Sequence, residues 1–316
     1  MGVFITQKKI IDTNKLFNLA QRKFLVFINP ISGNNDKNKL KKIVCQCIED
    51  IQIPYEILTT IANGNYNFLA EKITSENISD IIICGGDGTI GYIVKHILTI
   101  KVAIGIVPMG SGNGLAFTAG IPRSPKLAMQ IIINNKPKYV DAFWVNKIFA
   151  CHNFGVGFDA TVAHQFANST KRGPLSYIKL TAKNFFSAKP YNFLLTTNNE
   201  TLTVKAFFVA VLNSNQFGNS LTIAPKASLH DGLLDVVIVK KDNKLSLFVK
   251  LLMQLKNGKV AHVNDYKKTI QYLQTELISL TNPANAPLHV DGEPVATQKN
   301  ITISIQKRAY LLHQPV

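Results

Sequence analysis

The sequence predicts an α/β domain with a parallel sheet, followed by an antiparallel β-sandwich domain. From about residue 24 to 135, short apolar runs alternate with segments of helical spacing, which is typical of a parallel sheet with helices on its faces. From residue 138 onward, apolar and polar residues alternate with a period of two, as in antiparallel strands with one buried face. We therefore expect an α/β domain over 1–136, a β-rich domain over 137–300 and a C-terminal segment, 301–316, that could return to the first domain.

Three predicted strands of the first domain each end in a polar turn that contains glycine. Strand 24–28 runs into the turn 29–33, strand 81–84 into 85–89, and strand 102–107 into 108–114. A further strand at 54–60 and helices at 40–51, 68–78 and 122–132 complete the alternation. Because the carboxyl ends of parallel strands meet at one edge of a sheet, we expect the three turns to converge on one crevice.

In the second domain, strands are expected wherever the period-two pattern persists. The candidates are 138–146, 148–154, 191–197, 201–212, 233–239, 270–281, 286–291 and 300–306. Short turns such as Asn198-Asn199 and Asp242-Asn243 would join some of them, and helices are expected near 160–187 and 244–257. This succession indicates an antiparallel sandwich or curved sheet with inserted helices, and a ligand site in the cleft between the domains.

The three glycine turns favour a phosphate-binding function over ordinary strand-to-helix connections. Backbone N–H groups at such turns can bind an anion, and glycine lets the backbone approach a ligand closely. Asp87 would be unfavourable beside a bare phosphate, but a divalent cation that accompanies a nucleotide makes it reasonable. The sequence therefore predicts a nucleotide site in the first domain.

One motif in this region has a competing interpretation. Gly86-x-Gly88-x-x-Gly91 matches the dinucleotide fingerprint, which also requires an acid about 20 residues further on. No Asp or Glu occurs between Asp87 and Asp141, so a dinucleotide oxidoreductase is the less favoured interpretation. The Gly-Lys-Ser/Thr ending of a Walker loop is also absent.

The second domain contains two acidic turns, Asp231-Gly232 and Asp291-Gly292. An Asp-Gly pair between strands is first of all a hairpin turn. If the second stretch is extended, Asp291 and Glu293 point the same way and could bind a metal or act as a base. Both interpretations stay open.

The net charge of +16 predicts attraction to anionic partners. Lysines and aromatic residues are not interleaved as in RNA-binding sheets, so nucleic acid is not an expected partner. The stretches 175–189 and 245–259 combine lysines with apolar residues, which favours contact with an anionic membrane or, alternatively, a helix packed on its own sheet. Without a signal peptide or an apolar run of spanning length, the expected location is cytoplasmic, peripheral at the inner membrane face.

Four motifs together carry a family resemblance. Asn29-Pro-x-Ser-Gly33, Gly85-Gly-Asp-Gly-Thr89, Pro108-x-Gly-Ser-Gly-Asn113 and Asp291-Gly-Glu293, in this order, resemble the diacylglycerol kinase catalytic-domain family. That family includes bacterial lipid kinases, sphingosine kinases and ceramide kinases. The resemblance implies an enzyme that transfers a phosphoryl group from ATP, with Mg²⁺, to a hydroxyl of a lipid, either diacylglycerol or a sphingoid base or ceramide-like lipid. A homodimer is common in such folds.

The resemblance also implies roles for individual residues. Glu293 matches the proton acceptor with Asp291 as its partner, Asp87 lies near the phosphates, and Asp159 loosely matches a lipid head-group contact. A structural metal would be held by Asp231 with the backbone carbonyls of Ser228 and Leu233. The nucleotide contacts would be Asn29, Pro30, Ser32, Gly33, Thr60, Gly85, Gly86, Asp87, Gly88, Thr89, Gly110, Ser111 and Asn113.

This chain departs from the family pattern at three places. Gly114 follows Asn113 where many members have Asp, Gly91-Tyr92 stands where many have Asn-Glu, and Asn34 stands where a Lys is frequent. Two other functions therefore stay open. One is a kinase of a small soluble acceptor such as NAD, and the other is a non-catalytic nucleotide or lipid sensor.

Overall fold

The computed structural model describes most of the chain. The described residues are 21–33, 36–62, 64–169, 174–197, 200–215, 223–224, 226–241 and 269–316. The predicted turns at 198–199 and 242–243, and the predicted helices at 244–257 and 245–259, lie outside these residues.

The first half of the chain forms a parallel sheet in the order β2-β1-β3-β4, with helices in the connections. Strand β3 is buried along its whole length, because a parallel sheet that is covered on both faces leaves its central strands without solvent contact. The elements are β1 (Phe24–Ile28), α1 (Lys37–Glu49), β2 (Tyr55–Thr59), α2 (Leu69–Ser75), β3 (Asp80–Gly85), α3 (Asp87–Lys95), β4 (Ala103–Pro108), α4 (Gly114–Thr118) and α5 (Pro125–Asn134).

The second half is an antiparallel array with two helices between its strands. Its elements are β5 (Pro137–Val145), β6 (Ile148–Ala150), β7 (Asn153–Gly157), α6 (Phe158–Ala167), α7 (Pro174–Phe185), β8 (Tyr191–Thr197), β9 (Thr201–Leu212), β10 (Leu234–Lys240), β11 (Ile270–Thr275), β12 (Leu277–Thr281), β13 (Leu288–Val290), β14 (Glu293–Val295) and β15 (Asn300–His313). The predicted succession of a parallel α/β region and an antiparallel β region is confirmed. The domain bounds at 136 and 300 stay predictions.

Three predicted strands differ in extent from the observed ones. The segments 148–154 and 270–281 each divide into two strands, and the last strand continues from 306 to His313. Its distal half pairs parallel with β4 and antiparallel with β5. The last strand therefore joins the antiparallel region to the edge of the parallel sheet.

A buried ionic cluster connects this last strand to β3. The guanidinium of Arg22 donates to both carboxylate oxygens of Asp80, at 3.1 and 2.6 Å, and Nε2 of His313 lies 2.7 Å from the same carboxylate. Burial acts to raise the pKa of Asp80, but the hydrogen bonds from His313 and Arg22 outweigh it and lower that pKa. All three side chains are at most 3% exposed, so the cluster depends on each partner.

We expect Asp80→Asn to destabilise the protein by about 3 kcal/mol, because removing this carboxylate leaves the buried guanidinium of Arg22 without its counter-charge. Denaturant unfolding at pH 7 measures this. Since the folded-state pKa of Asp80 is lowered, its stabilisation is present above pH 4 or so and is lost as the pH falls further. The difference between the two proteins should therefore shrink in acid.

The matched control is Glu276→Gln, which breaks the exposed ion pair with Lys307. An exposed pair contributes at most about 1 kcal/mol. Equal effects of the two substitutions would contradict a special role for the buried cluster.

Candidate functional site

The three glycine-containing turns after β1, β3 and β4 touch one another through their backbones. A Cβ atom added at Gly110 would lie 2.7 Å from the Cα of Gly86, and one added at Gly33 would lie 2.3 Å from the carbonyl oxygen of Met109. Gly33 also has a φ of +63°, which favours glycine. The predicted convergence of the turns is therefore confirmed, and larger residues at these positions would push the turns apart.

Side chains lock two of these turns together. The amide of Asn29 donates to Oγ1 of Thr89 at 2.8 Å, and its oxygen accepts the N–H of Ile31 at 3.0 Å. These bonds connect the β1 turn to the first turn of α3, whose N-terminal amides and positive dipole end suit an anion. Pro30, Ser32 and Thr60 lie at the same end of the sheet, at the ends of β1 and β2.

The sequence motifs did not assign Lys37, which the structure brings to the β1 turn. Its ammonium donates to the carbonyl oxygen of Ser32, and partial burial lowers its pKa. Lys37 opens α1, four residues after Gly33. The sequence feature that could have indicated Lys37 is a lysine shortly after the Ser32-Gly33 pair. In the family pattern a Lys is frequent at position 34 instead.

Asp87 connects the β3 turn to the next helix. Its carboxylate accepts the N–H groups of Gly114 at 3.0 Å and Leu115 at 3.2 Å, and so caps α4 from another element. The side chain is only partly buried, and each carboxylate oxygen keeps acceptor capacity for a further ligand.

Asn113 shapes the third turn from within. It has a left-handed φ of +54°, and its side chain bonds both the N–H and the carbonyl of Gly110 at 2.7 Å. Because its amide is used in these two bonds and is buried, Asn113 fixes the loop in which Ser111 stays partly exposed.

The stretch that contains Asp291 and Glu293 is not extended, although both carboxylates face α3, Asp291 at Gly91 and Glu293 at Gly88. Asp291 and Gly292 have φ values of +50° and +83° and form a two-residue hairpin turn between β13 and β14. Such a turn reverses the chain, so the alternation of an extended strand does not apply. The hairpin interpretation of this Asp-Gly pair is confirmed.

The two carboxylates of this hairpin occupy different environments. The Asp291 carboxylate accepts three N–H groups, those of Cys151, His152 and Asn153, each at 2.9 Å. Burial raises the pKa of Asp291, against the lowering effect of His152 and these bonds. Glu293 is exposed, and its Oε1 would lie 3.3 Å from a Cβ added at Gly88. Glu293 therefore reaches the first turn of α3 at Gly88, the residue that follows Asp87 in the chain.

Asp159 lies in the interior beside the same hairpin. One carboxylate oxygen of Asp159 accepts the N–H of the next residue, Ala160, at 2.8 Å. The other oxygen lies 3.3 Å from Nε2 of His289. Nδ1 of His289 in turn accepts the N–H of Gly292 at 3.4 Å. Asp159 is 3% exposed, so its role as a head-group contact stays a prediction that this burial disfavours.

The turn at Asp231 has features that suit a cation. Asp231 is exposed and accepts the N–H of Leu233 at 3.0 Å. Four residues on, Oδ2 of Asp235 is buried without a hydrogen-bond partner in the described part of the chain, and burial raises the pKa of Asp235 to about 6. No group of three His, Cys, Asp or Glu side chains suited to a metal occurs among the described residues. Asp231 with the carbonyls of Ser228 and Leu233 as a metal site stays a prediction, for which oxygen ligands would favour Mg²⁺ or Ca²⁺.

Helix α7 presents basic and apolar groups to solvent. Lys179 and Lys183 are exposed on it, and Phe186, just past its end, is 52% exposed. None of the helices described in this chain has the length and hydropathy that a membrane crossing needs.

Comparison with known proteins identifies the family of this chain. Residues 23–145 match the model of the diacylglycerol kinase catalytic domain. Residues 153–307 match that of the YegS C-terminal NAD kinase beta sandwich-like domain. The chain belongs to the diacylglycerol kinase catalytic-domain family. It is therefore a lipid kinase by family, with the predicted α/β plus β-sandwich fold.

Individual relatives agree with this family. A Chromohalobacter salexigens protein named "Probable lipid kinase YegS-like" is 27% identical over 82% of this chain and 83% of its own length. A Bacillus subtilis protein named "Diacylglycerol kinase" is 26% identical over 85% and 88%. The crystal structure of a diacylglycerol kinase from Bacillus anthracis has a TM-score of 0.72 at 16% identity, covering 93% of this chain and 97% of that chain. This structural likeness concerns the fold alone.

We expect Gly110→Ala to weaken nucleotide binding by at least tenfold. The added methyl would meet the backbone of Gly86 at 2.7 Å, which cannot rotate away, so the two turns must separate. Calorimetric titration with a non-hydrolysable ATP analogue measures the affinity.

The control is Gly105→Ala in β4, where the added methyl meets Ile132 side-chain atoms at the same 2.7 Å within the core. This variant should lose stability but keep nucleotide affinity once folded. Unchanged affinity in Gly110→Ala would show that the turn contact does not matter for nucleotide binding.

Proposed function

We propose that the protein uses ATP and Mg²⁺ to phosphorylate a hydroxyl of a membrane lipid. The contact that carries this proposal is between the exposed carboxylate of Glu293 and the first turn of α3 at Gly88. It puts a carboxylate from the second domain over the turns that suit a nucleotide phosphate. Phosphoryl transfer needs positioned phosphates, charge neutralisation and an acceptor for the hydroxyl proton.

The nucleotide phosphates would be bound by backbone amides of the glycine turns and the N-terminus of α3. Lys37 adds a cation at the β1 turn. Asp87 would hold Mg²⁺ through the acceptor capacity that its two N–H bonds leave free. When bound, the metal would neutralise charge on the phosphates.

In the transfer step, the lipid oxygen would form a bond to the γ-phosphorus while the bond between that phosphorus and the ADP oxygen breaks. The hydroxyl proton would pass to Glu293. Among the described residues the Glu293 carboxylate has no hydrogen-bond partner, so its oxygens are available for this proton. Asp291 shares the hairpin, but its oxygens are occupied by three N–H groups, so we propose that it positions the turn.

The acceptor that we favour is an uncharged lipid such as diacylglycerol. A sphingoid base would bring an ammonium group, and the resemblance offered Asp159 as its contact. That carboxylate is buried and paired with His289, so it is not available to a cationic head group without breaking this pair. The Bacillus subtilis relative named "Diacylglycerol kinase" supports the same choice.

Phosphorylation of NAD is the second candidate, because the description of the matched C-terminal domain refers to NAD kinase. A non-catalytic sensor is the third. The cation proposed at Asp231, with Ser228 and Leu233, would be structural in either kinase.

We expect Glu293→Gln to reduce phosphate transfer to diacylglycerol at least 100-fold, because the amide cannot accept the proton. ATP affinity should stay within about twofold, since Glu293 contributes no phosphate contact in this proposal. Labelled ATP with detergent-dispersed diacylglycerol, sphingosine, ceramide or NAD measures both the acceptor and the effect.

Glu276→Gln, an exposed carboxylate at the bend between β11 and β12, should leave the rate unchanged. Transfer to NAD alone would favour the second candidate. ATP binding without transfer to any acceptor would favour the sensor, and sphingosine as the best acceptor would contradict the choice of an uncharged lipid.

The protein should bind peripherally to anionic membranes at the cytoplasmic face through α7. Each lysine near an anionic surface contributes roughly 1 kcal/mol, and exposed Phe186 can insert at the interface. Lys179→Glu with Lys183→Glu should therefore weaken binding to phosphatidylserine vesicles by tenfold or more. Vesicle sedimentation at fixed salt measures it.

The double substitution of Lys41 and Lys42 by Glu makes the same charge change on exposed positions of α1. It should weaken binding much less if α7 is the contact. Equal losses in the two double variants would mean that net charge alone governs membrane binding.

A further inference from the structure

His152 belongs to none of the sequence motifs, yet it touches both halves of the site. It lies between β6 and β7, is 4% exposed, and its backbone N–H donates to Oδ1 of Asp291 at 2.9 Å. Its ring faces Gly114. A Cβ atom added there would lie 2.1 Å from Cε1 and 2.3 Å from Nε2 of the imidazole. The ring therefore fills the space that any side chain at Gly114 would need.

The imidazole is held in this position from its other edge. Nδ1 is hydrogen-bonded to Oγ of Ser214, which is fully buried. The His152 carbonyl accepts the N–H of Asn213 at 3.0 Å. Because both the ring and the backbone are fixed by the residues after β9, the Nε2 edge has one orientation, toward α4.

Gly114 is the residue through which Asp87 meets α4, since its N–H donates to Oδ2 of Asp87 at 3.0 Å. A path thus runs from Asp87 through Gly114 to the ring of His152, and from the backbone N–H of His152 to Asp291. Asp87 and Asp291 have the same charge in their ionised forms, so a rigid group between their supports resists their displacement.

We propose that His152 is a positioning residue that fixes the separation between Asp87 and the Asp291–Glu293 hairpin. Its kinetic effect rests on the proposed lipid kinase function. Glu293 can accept the hydroxyl proton only when its hairpin stands at the right distance from the nucleotide turns, and misplacement by about 1 Å can cost as much as 100-fold in rate.

The test compares His152→Ala with the wild-type enzyme in two measurements. We expect kcat for lipid phosphorylation to fall at least tenfold while KM for ATP changes less than threefold, because the glycine turns keep their own contacts. Hydrogen exchange of the amides of Gly114 and Leu115 should accelerate in His152→Ala, whether or not the protein phosphorylates a lipid.

Two further variants separate positioning from packing. Gly114→Ala should lower both the melting temperature and kcat because its methyl group meets the ring. Adding His152→Ala to it should restore the melting temperature but not kcat. Ser214→Ala keeps the imidazole ring of His152 but removes the hydrogen bond to its Nδ1, and it should lower kcat three- to tenfold. This variant also serves as the test if His152→Ala does not fold.

The control is His96→Ala, at the opposite end of α3 from the site, which should change neither kcat nor exchange at Gly114. A kcat within threefold of wild type in His152→Ala, or unchanged exchange at Gly114, would overturn the proposal. Absence of lipid phosphorylation by the wild type would instead contradict the proposed function, and the exchange measurement would still decide the role of His152.

Discussion

Two carboxylates whose partners are backbone N–H groups of other elements hold the site together. Asp87, in the β3 turn, caps α4, and Asp291, in the β13–β14 hairpin, accepts three consecutive amides at the start of β7. Desolvation of a partly buried carboxylate is offset by the hydrogen bonds that its oxygens accept. Each of these groups therefore ties its own turn to a distant segment, and the three glycine turns and the hairpin keep one relative arrangement.

The remaining contacts follow from close backbone approach. Gly86 and Gly110 let the β3 and β4 turns meet without side chains between them, and Gly114 does the same for the ring of His152. The last strand completes the frame because it pairs with both β4 and β5. The cluster of Asp80 with Arg22 and His313 fixes the opposite end of the parallel sheet. The glycine turns are thus supported from both ends of the same strands.

Local patterns predicted the positions of most strands and of the three glycine turns, but contacts between distant residues were not visible in these patterns. Apolar runs that end in glycine located the β1, β3 and β4 turns correctly. The last strand was predicted too short because its register shifts between Gln306 and Tyr310, where Arg308 has a φ of +52° and interrupts the alternation. The pairing of Asp159 with His289 joins residues 130 positions apart. The orientation of Asp291 depends on a left-handed backbone conformation. An Asp residue can adopt that conformation, but its presence in a sequence does not predict it.

The hairpin explains how adjacent carboxylates can have separate tasks. Asp291 is half-buried, its oxygens accept three amides, and desolvation raises its pKa. Glu293, two residues later, is exposed, and within the described chain its carboxylate has no hydrogen-bond partner. Protonation of the Asp291 carboxylate would weaken the three amide bonds that it accepts, whereas protonation of Glu293 would disturb no such bond. Because the hairpin gives the two side chains different partners, Asp291 holds the hairpin against the β7 segment, while Glu293 is available for the proposed role of proton acceptor.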